Sequence, residues 1–253
     1  MSAALHGKKI LITREKKQAR EFSEKVLQAG GIPVEVPLLK ISCMENDSTR
    51  QLLDGVTTYN WIFFTSANGV DCFFKRDGWK TIKDETRIAA VGNKTAGKLE
   101  DYGYRVDFIP TTYNAESMTN EFLEQDSLND SRMLLVQGTK SRDILPKWLT
   151  EQGIRFDTVV VYESLFEYGS KQHLSRALAG DSMDFITFTS PSTVDAFLEM
   201  NEGRVQKGSV YVCIGTTTSD HAKESGFENI LRPDEFTIDG MVQCMSDYIA
   251  VKG

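Results

Sequence analysis

The chain contains two copies of one sequence unit, and this internal repeat is the feature that most restricts its fold. The segment WIFFTSANGVDCFF in the first half aligns with FITFTSPSTVDAFL in the second. The segments AAVGNKTAGKLEDYGYRVDFIP and VCIGTTTSDHAKESGFENILRP also align, and their glycines Gly92 and Gly215 are 123 positions apart. Residues 9–41 resemble residues 132–164 more loosely. A period this long exceeds that of solenoid repeats, so the sequence predicts two domains.

Each copy alternates short apolar runs with segments of helical periodicity. Strands are predicted at 8–13, 32–36, 61–64, 87–91, 105–108, 133–136, 155–161, 184–189, 209–214 and 229–231. Helices are predicted at 17–29, around 70–74, and at 94–101, 115–124, 143–151, 192–200, 218–225 and 238–251. Strands that alternate with helical crossovers form parallel sheets, so we expect an α/β fold with five strands in each copy.

The positions of two extended segments suggest how the copies are divided into domains. In each copy the second strand continues into an apolar stretch, and these stretches lie at equivalent points of the repeat. We interpret them as two connections between domains, at 37–41 and 161–166. Residues 1–36 and 167–253 then form a discontinuous α/β domain, and residues 42–160 form an inserted one.

Composition and charge exclude several classes of protein. A hydrophobic content of 40% and a charged content of 26% are ordinary for a globular protein. The net charge of −7 does not suggest binding to nucleic acid, which needs a basic face. No apolar run is long enough to span a membrane, and the first residues lack the apolar core of a signal peptide, so we expect a cytoplasmic protein.

The cysteines and histidines show no spacing that is typical of a metal site. The four cysteines, Cys43, Cys72, Cys213 and Cys244, are far apart and form no C-x-x-C motif. We expect four buried free thiols in a reducing compartment. The three histidines are equally scattered, so the sequence predicts no bound metal.

Four corners rich in hydroxyl or amide side chains follow predicted strands and precede predicted helices. They contain Thr65 to Asn68, Asn93 to Thr95, Thr189 with Ser190, and Thr216 to Thr218. One such corner is ordinarily explained as a helix N-cap. Four matched corners in two domains instead favour a ligand held between the domains, because α/β sheets bind ligands at the carboxyl ends of their strands. Neither GxGxxG nor GxxxxGK[ST] is present, which argues against a nucleotide phosphate loop.

Each charged or phenolic side chain near these corners is compatible with two roles, one structural and one functional. Arg14, Lys94, Lys140 and Arg142 each follow a predicted strand, either as solvated surface charges or as anion contacts. Tyr162 follows Val-Val-Val in the second connection, either as a core or hinge tyrosine or as a proton donor.

At these residues the sequence resembles the uroporphyrinogen-III synthase family over essentially its whole length. The motifs that carry the resemblance are ILITRE, FTSANGV, VGNKTA, QGTKSRDILPKWL, VVVYES, FTSPSTV and IGTTTS, and their order and spacing are more specific than any single one. The resemblance implies two flavodoxin-like domains, each a five-stranded parallel sheet with helices on both faces, joined by a two-stranded linker. This implication agrees with the two connections inferred from the repeat.

The resemblance also implies a reaction that needs no cofactor and no metal. Linear hydroxymethylbilane loses its terminal hydroxyl, and the last pyrrole ring closes inverted through a spiro intermediate to give uroporphyrinogen III. The substrate carries eight carboxylates, which suits a site rich in N–H, hydroxyl and basic groups. The expected partner is this small molecule, received from hydroxymethylbilane synthase, and the expected state is a monomer that binds neither nucleic acid nor membrane.

The family's tyrosine corresponds to Tyr162, which the resemblance implies as the catalytic residue that assists loss of the hydroxyl. Its corner threonines correspond to Thr95, Thr217 and Thr218, and its strand-end serines correspond to Ser66 and Ser190. Family members often have proline after the glycine of the last corner, where this chain has Thr216. The full set of expected substrate-binding residues is Arg14, Ser66, Asn68, Asn93, Lys94, Thr95, Lys140, Arg142, Ser190, Thr216, Thr217 and Thr218.

Two other functions are compatible with the sequence. A non-catalytic, hinged two-domain ligand-binding protein would also place polar corners around a ligand, although the missing secretion signal counts against it. Flavin binding is suggested only by the domain fold, and fold does not determine function.

Overall fold

The computed structural model describes residues 4–44, 47–75, 82–111, 121–122, 131–179, 183–206 and 208–252. The chain divides into two compact units. The first consists of Met1–Lys40 with Leu165–Gly253, and the second of Ile41–Ser164.

Strands and helices alternate along most of the described chain. The strands are β1 (Lys9–Ile12), β2 (Ile32–Glu35), β3 (Leu39–Cys43), β4 (Trp61–Phe64), β5 (Arg87–Ala90), β6 (Arg132–Gly138), β7 (Arg155–Phe166), β8 (Phe185–Phe188), β9 (Val210–Cys213) and β10 (Ile230–Leu231). The helices are α1 (Lys16–Gln28), α2 (Asp47–Asp54), α3 (Ala67–Phe74), α4 (Asn93–Asp101), α5 (Ile144–Glu151), α6 (Lys171–Ala179), α7 (Pro191–Met200), α8 (Thr216–Glu224) and α9 (Ile238–Lys252).

The first unit is built on a parallel sheet in the order β2-β1-β8-β9-β10. Successive side chains of a strand point to opposite faces, so Leu11 packs in one apolar cluster and Ile10 and Ile12 pack in another. Helices α6, α7 and α8 cover the first face, and α1 and α9 cover the second. Because helices bury both faces, the strands are apolar at nearly every position.

The second unit has four parallel strands in the order β7-β6-β4-β5. The fifth strand of its sheet is β3, on the far side of β7. Two backbone hydrogen bonds, from Glu167 N–H to Leu38 O and from Met44 N–H to Val161 O, show that β3 runs antiparallel to β7. Helices α3 and α4 pack on one face of the sheet and α5 packs on the other.

The prediction of a fifth parallel strand at 105–108 is wrong in this unit. Only an isolated parallel bridge joins Phe108 to Ala89 beyond β5. The side chain of Asp107 accepts a hydrogen bond from Ile88 N–H and so replaces part of a backbone ladder. Phe108 is buried and Val106 and Ile109 pack against the core, so the segment is anchored by side chains without forming a continuous ladder.

Helices α2 and α6 were not predicted from the sequence. Both are short, and in α6 only Leu174 and Leu178 are buried, which gives a weak periodic signal. The predicted helix at 115–124 lies outside the described residues except for 121–122. No helix in the described part of the chain is long and apolar enough to cross a membrane.

The chain passes from one unit to the other within β3 and again within β7. The predicted connecting segments, 37–41 and 161–166, contain these two points. That they are linkers between independently folding domains stays a prediction.

The expectation of four free thiols is wrong for two of them. Cys43 at the end of β3 forms a disulfide with Cys72 in α3, and their Cα atoms are 5.3 Å apart. The strand and the helix are brought together by the fold, which a separation of 29 residues along the chain did not indicate. Cys213 and Cys244 are free.

The disulfide gives a first prediction, on stability. Closing a loop of this size restricts the unfolded chain, so reduction by dithiothreitol should lower the free energy of unfolding by about 3 kcal/mol. Urea denaturation with and without reductant measures the difference. A Cys43→Ser/Cys72→Ala variant is the control, because reductant should leave its stability unchanged. An equal reductant effect on both proteins would contradict the pairing.

A second prediction concerns the independence of the second unit. A fragment of residues 41–164 retains both faces of its own sheet and its own disulfide. We therefore expect it to fold cooperatively in isolation, as domains of this size do. A dispersed amide spectrum and a single denaturation transition would support the division, whereas an unfolded fragment would contradict it.

Candidate functional site

The hydroxyl-rich corners lie at the carboxyl ends of parallel strands. Parallel strands that share a sheet end at the same edge, which is where α/β sheets bind ligands. In the second unit this edge carries the corners after β4 and β5, and in the first unit it carries those after β8 and β9. Each corner also starts a helix, whose first amide groups have no partner within the helix itself.

The corner after β4 is joined to Tyr162 by a hydrogen bond. Ser66 is the N-cap of α3, and its Oγ accepts from Gly69 N–H at 3.1 Å. The same hydroxyl donates to Tyr162 Oη at 3.0 Å. Of the residues predicted to form the site, the structure brings these two into contact. Both are half-buried, so the phenol is shielded on one side and accessible on the other.

An irregularity in the sheet places Tyr162 at this edge. Along β6 and β7 the register is regular up to the pair Gln137 and Val160, but Gly138 is paired with Tyr162. One extra residue in β7 therefore bulges out of the ladder. Thr139 N–H donates to Tyr162 O at 3.0 Å, which holds the backbone of the tyrosine beyond the bulge.

The matched corner after β8 has a different arrangement. Ser190 caps α7 through Thr193 N–H, and Thr193 Oγ1 in turn accepts from Ser190 N–H, which makes a reciprocal capping box. Pro191 begins the helix and supports the same geometry. The hydroxyl of Ser190 is thus used to start a helix, as that of Ser66 is, but no tyrosine is bonded to it in the described structure.

At the two glycine corners, backbone groups rather than side chains are available at the start of the helix. Gly92 and Gly215 are the N-caps of α4 and α8, and neither provides a side chain to cap the first amides. Thr95 and Thr218 are buried within these helices, whereas Thr216 and Thr217 are exposed. Because the side chains of Thr95 and Thr218 are buried, contact of these two residues with a ligand falls to the backbone amides of the same turn.

Arg14 is an unusual cation at the edge of the first unit. It follows β1, and its Nε is buried without a hydrogen-bond partner among the described residues. Burial lowers the pKa of the Arg14 guanidinium, and the nearby charges of Glu21 and Glu15 oppose this effect. A buried, unpaired N–H group is unfavourable in the absence of an acceptor. Arg14 is therefore suited to an anionic ligand.

The remaining expected residues lie at the same edges. Asn68 is in the first turn of α3, and Asn93 and Lys94 begin α4 with exposed side chains. Lys140 and Arg142 are exposed in the turn between β6 and α5.

Some features of the edge were missed from the sequence, and one residue there is excluded as a nucleophile. Gly138 was not identified as a site residue from the sequence. A glycine at the end of an apolar strand is, however, a signal that another group packs closely against the backbone. Cys213 ends β9, close to the last corner, but burial raises the pKa of its thiol to about 12. A thiol of this kind is not a nucleophile near neutral pH.

Within the described residues, no group of three or more His, Cys, Asp or Glu could hold a metal ion.

The fold and its edges define an α/β protein with two mainly parallel sheets, whose strand ends carry helix N-termini, hydroxyl side chains, the guanidinium of Arg14 and the phenol of Tyr162. A family model described as uroporphyrinogen-III synthase HemD matches residues 20–243. The chain belongs to the uroporphyrinogen-III synthase family, which consists of cyclising lyases of heme biosynthesis.

Individual relatives agree with this assignment. The uroporphyrinogen-III synthase of Chlorobaculum parvum is 30% identical over 237 residues, which cover 90% of this chain and 94% of that protein. The porphyrin biosynthesis protein HemD of Ruminiclostridium josui is 28% identical over 247 residues. That match covers 96% of this chain but 49% of the relative, so this chain spans about half the length of that protein.

Solved structures share the fold at low sequence identity. Uroporphyrinogen-III synthetase from Helicobacter pylori matches with a TM-score of 0.65 and 18% identity, over 94% of this chain and 97% of that one. A mutant uroporphyrinogen III synthase from Thermus thermophilus matches with a TM-score of 0.63 and 16% identity, over 98% of this chain and 100% of that one. These likenesses establish an α/β fold with parallel sheets.

The burial of Arg14 gives a third prediction. Replacing it by methionine, which has a similar length and no charge, should raise the free energy of unfolding by about 1 kcal/mol, because an unpaired N–H is no longer buried. Urea denaturation measures this change. Lys16→Met is the matched control, since this neighbouring cation is exposed and its removal should alter stability by less than about 0.5 kcal/mol. A loss of stability in Arg14→Met would show that the guanidinium is satisfied within the protein.

Proposed function

We propose that this chain cyclises hydroxymethylbilane to uroporphyrinogen III, with inversion of the last pyrrole ring and loss of water. Membership of the family supports this reaction, and the observation that carries it is the hydrogen-bonded pair of Ser66 and Tyr162. A half-buried phenol at the ligand edge of a sheet is the kind of group that the first chemical step requires.

The first step is departure of the terminal hydroxyl, which a proton donor assists. Hydroxyl groups of serine and threonine are weaker acids than a phenol, so Tyr162 is the proposed general acid. It transfers its proton to the leaving oxygen, water departs, and an azafulvene cation remains. The last pyrrole ring attacks at its substituted carbon, forms the spiro intermediate and re-closes inverted. Loss of the final ring proton returns one proton, so the reaction releases only water.

The remaining groups of the edges are proposed to hold the carboxylates of the substrate. Arg14 offers a guanidinium with an unused N–H, which can form a charge-assisted bond to a carboxylate. The helix starts at Asn93 and Thr216 offer backbone amides and the positive end of a helix dipole. The other expected side-chain contacts are Asn68, Lys94, Lys140, Arg142, Ser190 and Thr217, and Thr95 and Thr218 are proposed to contact the substrate through the backbone amides of their helix turns.

We also propose that each unit is a flavodoxin-like domain, one of them discontinuous. The order β2-β1-β8-β9-β10 of the first unit supports this description, since 2-1-3-4-5 is typical of such sheets. In the second unit, β7-β6-β4-β5 places the repeat equivalents of β2, β1, β8 and β9 in the same spatial order, although β4 and β5 come first along the chain. Both copies of the repeat belong to one chain, which supports a monomer as the active form. Because the proposed substrate closes without an enzyme, we infer that it is received from hydroxymethylbilane synthase.

The alternative of a non-catalytic ligand-binding protein makes a different prediction for the product. Freshly made hydroxymethylbilane closes spontaneously to the uninverted isomer. A binding protein would leave this outcome unchanged, whereas the proposed enzyme yields the inverted isomer faster than the spontaneous route. Chromatographic separation of the oxidised product isomers distinguishes the enzyme from the binding protein. A purified protein without flavin absorption would exclude flavin binding.

The fourth prediction concerns Tyr162→Phe. Loss of a positioned general acid should lower kcat by at least about tenfold, toward the 10²–10⁴-fold range of such groups. More uninverted product should then form, because spontaneous closure competes with the slower enzyme.

Stability provides the comparison for this variant. A tyrosine with a purely structural role would lose one hydrogen bond, worth about 1 kcal/mol of unfolding free energy, with little effect on turnover. Wild-type kcat and full inversion in Tyr162→Phe would remove Tyr162 from the mechanism, while the reaction of the wild-type protein would still stand.

A further inference from the structure

The ring of Tyr162 lies directly against the backbone of Gly138. A Cβ atom added to Gly138 would lie 2.5 Å from Cζ of the ring, 2.7 Å from Cε2 and 2.9 Å from Cε1. These distances are far below van der Waals contact, so the ring occupies space that any other residue at 138 would fill. The ring can therefore adopt this position only because residue 138 has no side chain.

Residue 138 is also the point at which β6 and β7 change register. The bulge brings Tyr162 rather than Val161 opposite Gly138. The bulge and the missing side chain thus act together: the first brings the tyrosine to the glycine, and the second leaves room for its ring. Bulges are frequent beside functional sites, where they redirect a side chain.

The hydroxyl of Tyr162 is oriented by a chain of donors that begins at a helix. Gly69 N–H, in the first turn of α3, donates to Ser66 Oγ, and the Ser66 hydroxyl donates to Tyr162 Oη. When Ser66 donates in this bond, the proton of the phenol is free for another acceptor. The positive end of the α3 dipole lies at the start of this chain and favours negative charge on the phenol oxygen.

We propose that Gly138 and Ser66 are positioning residues for Tyr162, with Gly138 fixing the ring and Ser66 leaving the phenol proton available to the leaving hydroxyl of the substrate. This inference rests on the proposed role of Tyr162 as general acid. As the tyrosine gives up its proton, the hydrogen bond from Ser66 becomes charge-assisted and stabilises the developing phenolate. Neither positioning residue needs to touch the substrate.

Gly138→Ala tests the first half of the proposal. The atoms that the new methyl group would meet belong to a side chain, which can rotate away, so we expect a folded protein with a displaced phenol. A misplaced catalytic group should lower kcat by about ten- to a hundredfold and leave KM close to the wild-type value. Gly97→Ala is the matched control, because a Cβ at Gly97, also in the second unit, meets nothing within 4 Å.

Ser66 forms two hydrogen bonds, one with Gly69 N–H and one with Tyr162 Oη, so its test needs a variant that removes one bond and keeps the other. Ser66→Asp keeps the cap of α3, since aspartate accepts from Gly69 N–H, but a carboxylate cannot donate to the phenol. Ser66→Thr keeps both bonds. We expect Ser66→Asp to lose kcat and Ser66→Thr to retain most of it. Thr237→Ala, which removes the cap of α9 at Gly240 N–H, controls for cap loss alone.

A double-mutant cycle with Tyr162→Phe decides whether these effects act through the tyrosine. Phenylalanine has the same ring without the hydroxyl, so Gly138→Ala and Ser66→Asp should have almost no further effect on kcat in that background. Independent, multiplying effects in the double variants would overturn the proposal. So would wild-type kcat in Gly138→Ala, or a raised KM with normal kcat in Ser66→Asp.

The same measurements separate failure of this inference from failure of the proposed function. If Tyr162→Phe has wild-type kcat, the role of the tyrosine fails and the positioning role fails with it. If Tyr162→Phe is impaired while Gly138→Ala and Ser66→Asp are normal, only the positioning role is wrong. Denaturation curves for all variants ensure that each rate belongs to a folded protein.

Discussion

Parallel pairing of strands is the constraint on which the rest of this structure depends. Because β1 and β8 run parallel, and β4 and β6 do so in the second unit, their carboxyl ends meet at one edge of each sheet. Each parallel strand therefore ends at that edge, and the corner that follows it lies there too, whatever its position along the chain. The bond between Ser66 and Tyr162, 96 positions apart, is a direct result. Helices on both faces keep the sheets apolar and leave the edge as the place for polar groups.

The elements that were predicted correctly are those whose signals are local in the sequence. Apolar runs and their spacing indicated β4, β8 and their helices, and the repeat indicated equivalent corners in both halves. Features that depend on tertiary geometry were missed. The Cys43–Cys72 disulfide and the packing of Tyr162 on Gly138 each join residues that no periodic pattern relates. Residue type indicated hydroxyls at the corners, but only burial distinguishes the buried Thr218 from the exposed Thr217.

The proposed substrate carries eight carboxylates although the net charge of the chain is −7, and the distance between charges reconciles the two. Exposed charges farther away than about 10 Å are screened at ordinary ionic strength, so the overall charge matters less than the groups within a few ångströms. Helix starts provide partial positive charge without any basic side chain. Arg14 adds one guanidinium whose Nε–H has no hydrogen-bond partner among the described residues. Local dipoles can therefore attract an anion to a protein that is acidic as a whole.

The two copies of the repeat differ at the position of Tyr162, and this difference bears on the orientation in which a linear molecule binds. In the alignment of residues 9–41 with 132–164, the counterpart of Tyr162 is the buried Leu39, and the counterpart of Gly138 is Glu15. The duplicated scaffold thus carries its phenol in one copy only. A receptor with two identical halves could not tell the head of a chain-like guest from its tail, because either orientation would meet the same groups. A tyrosine at this position in only one copy of the repeat removes that degeneracy and distinguishes the two ends of such a guest.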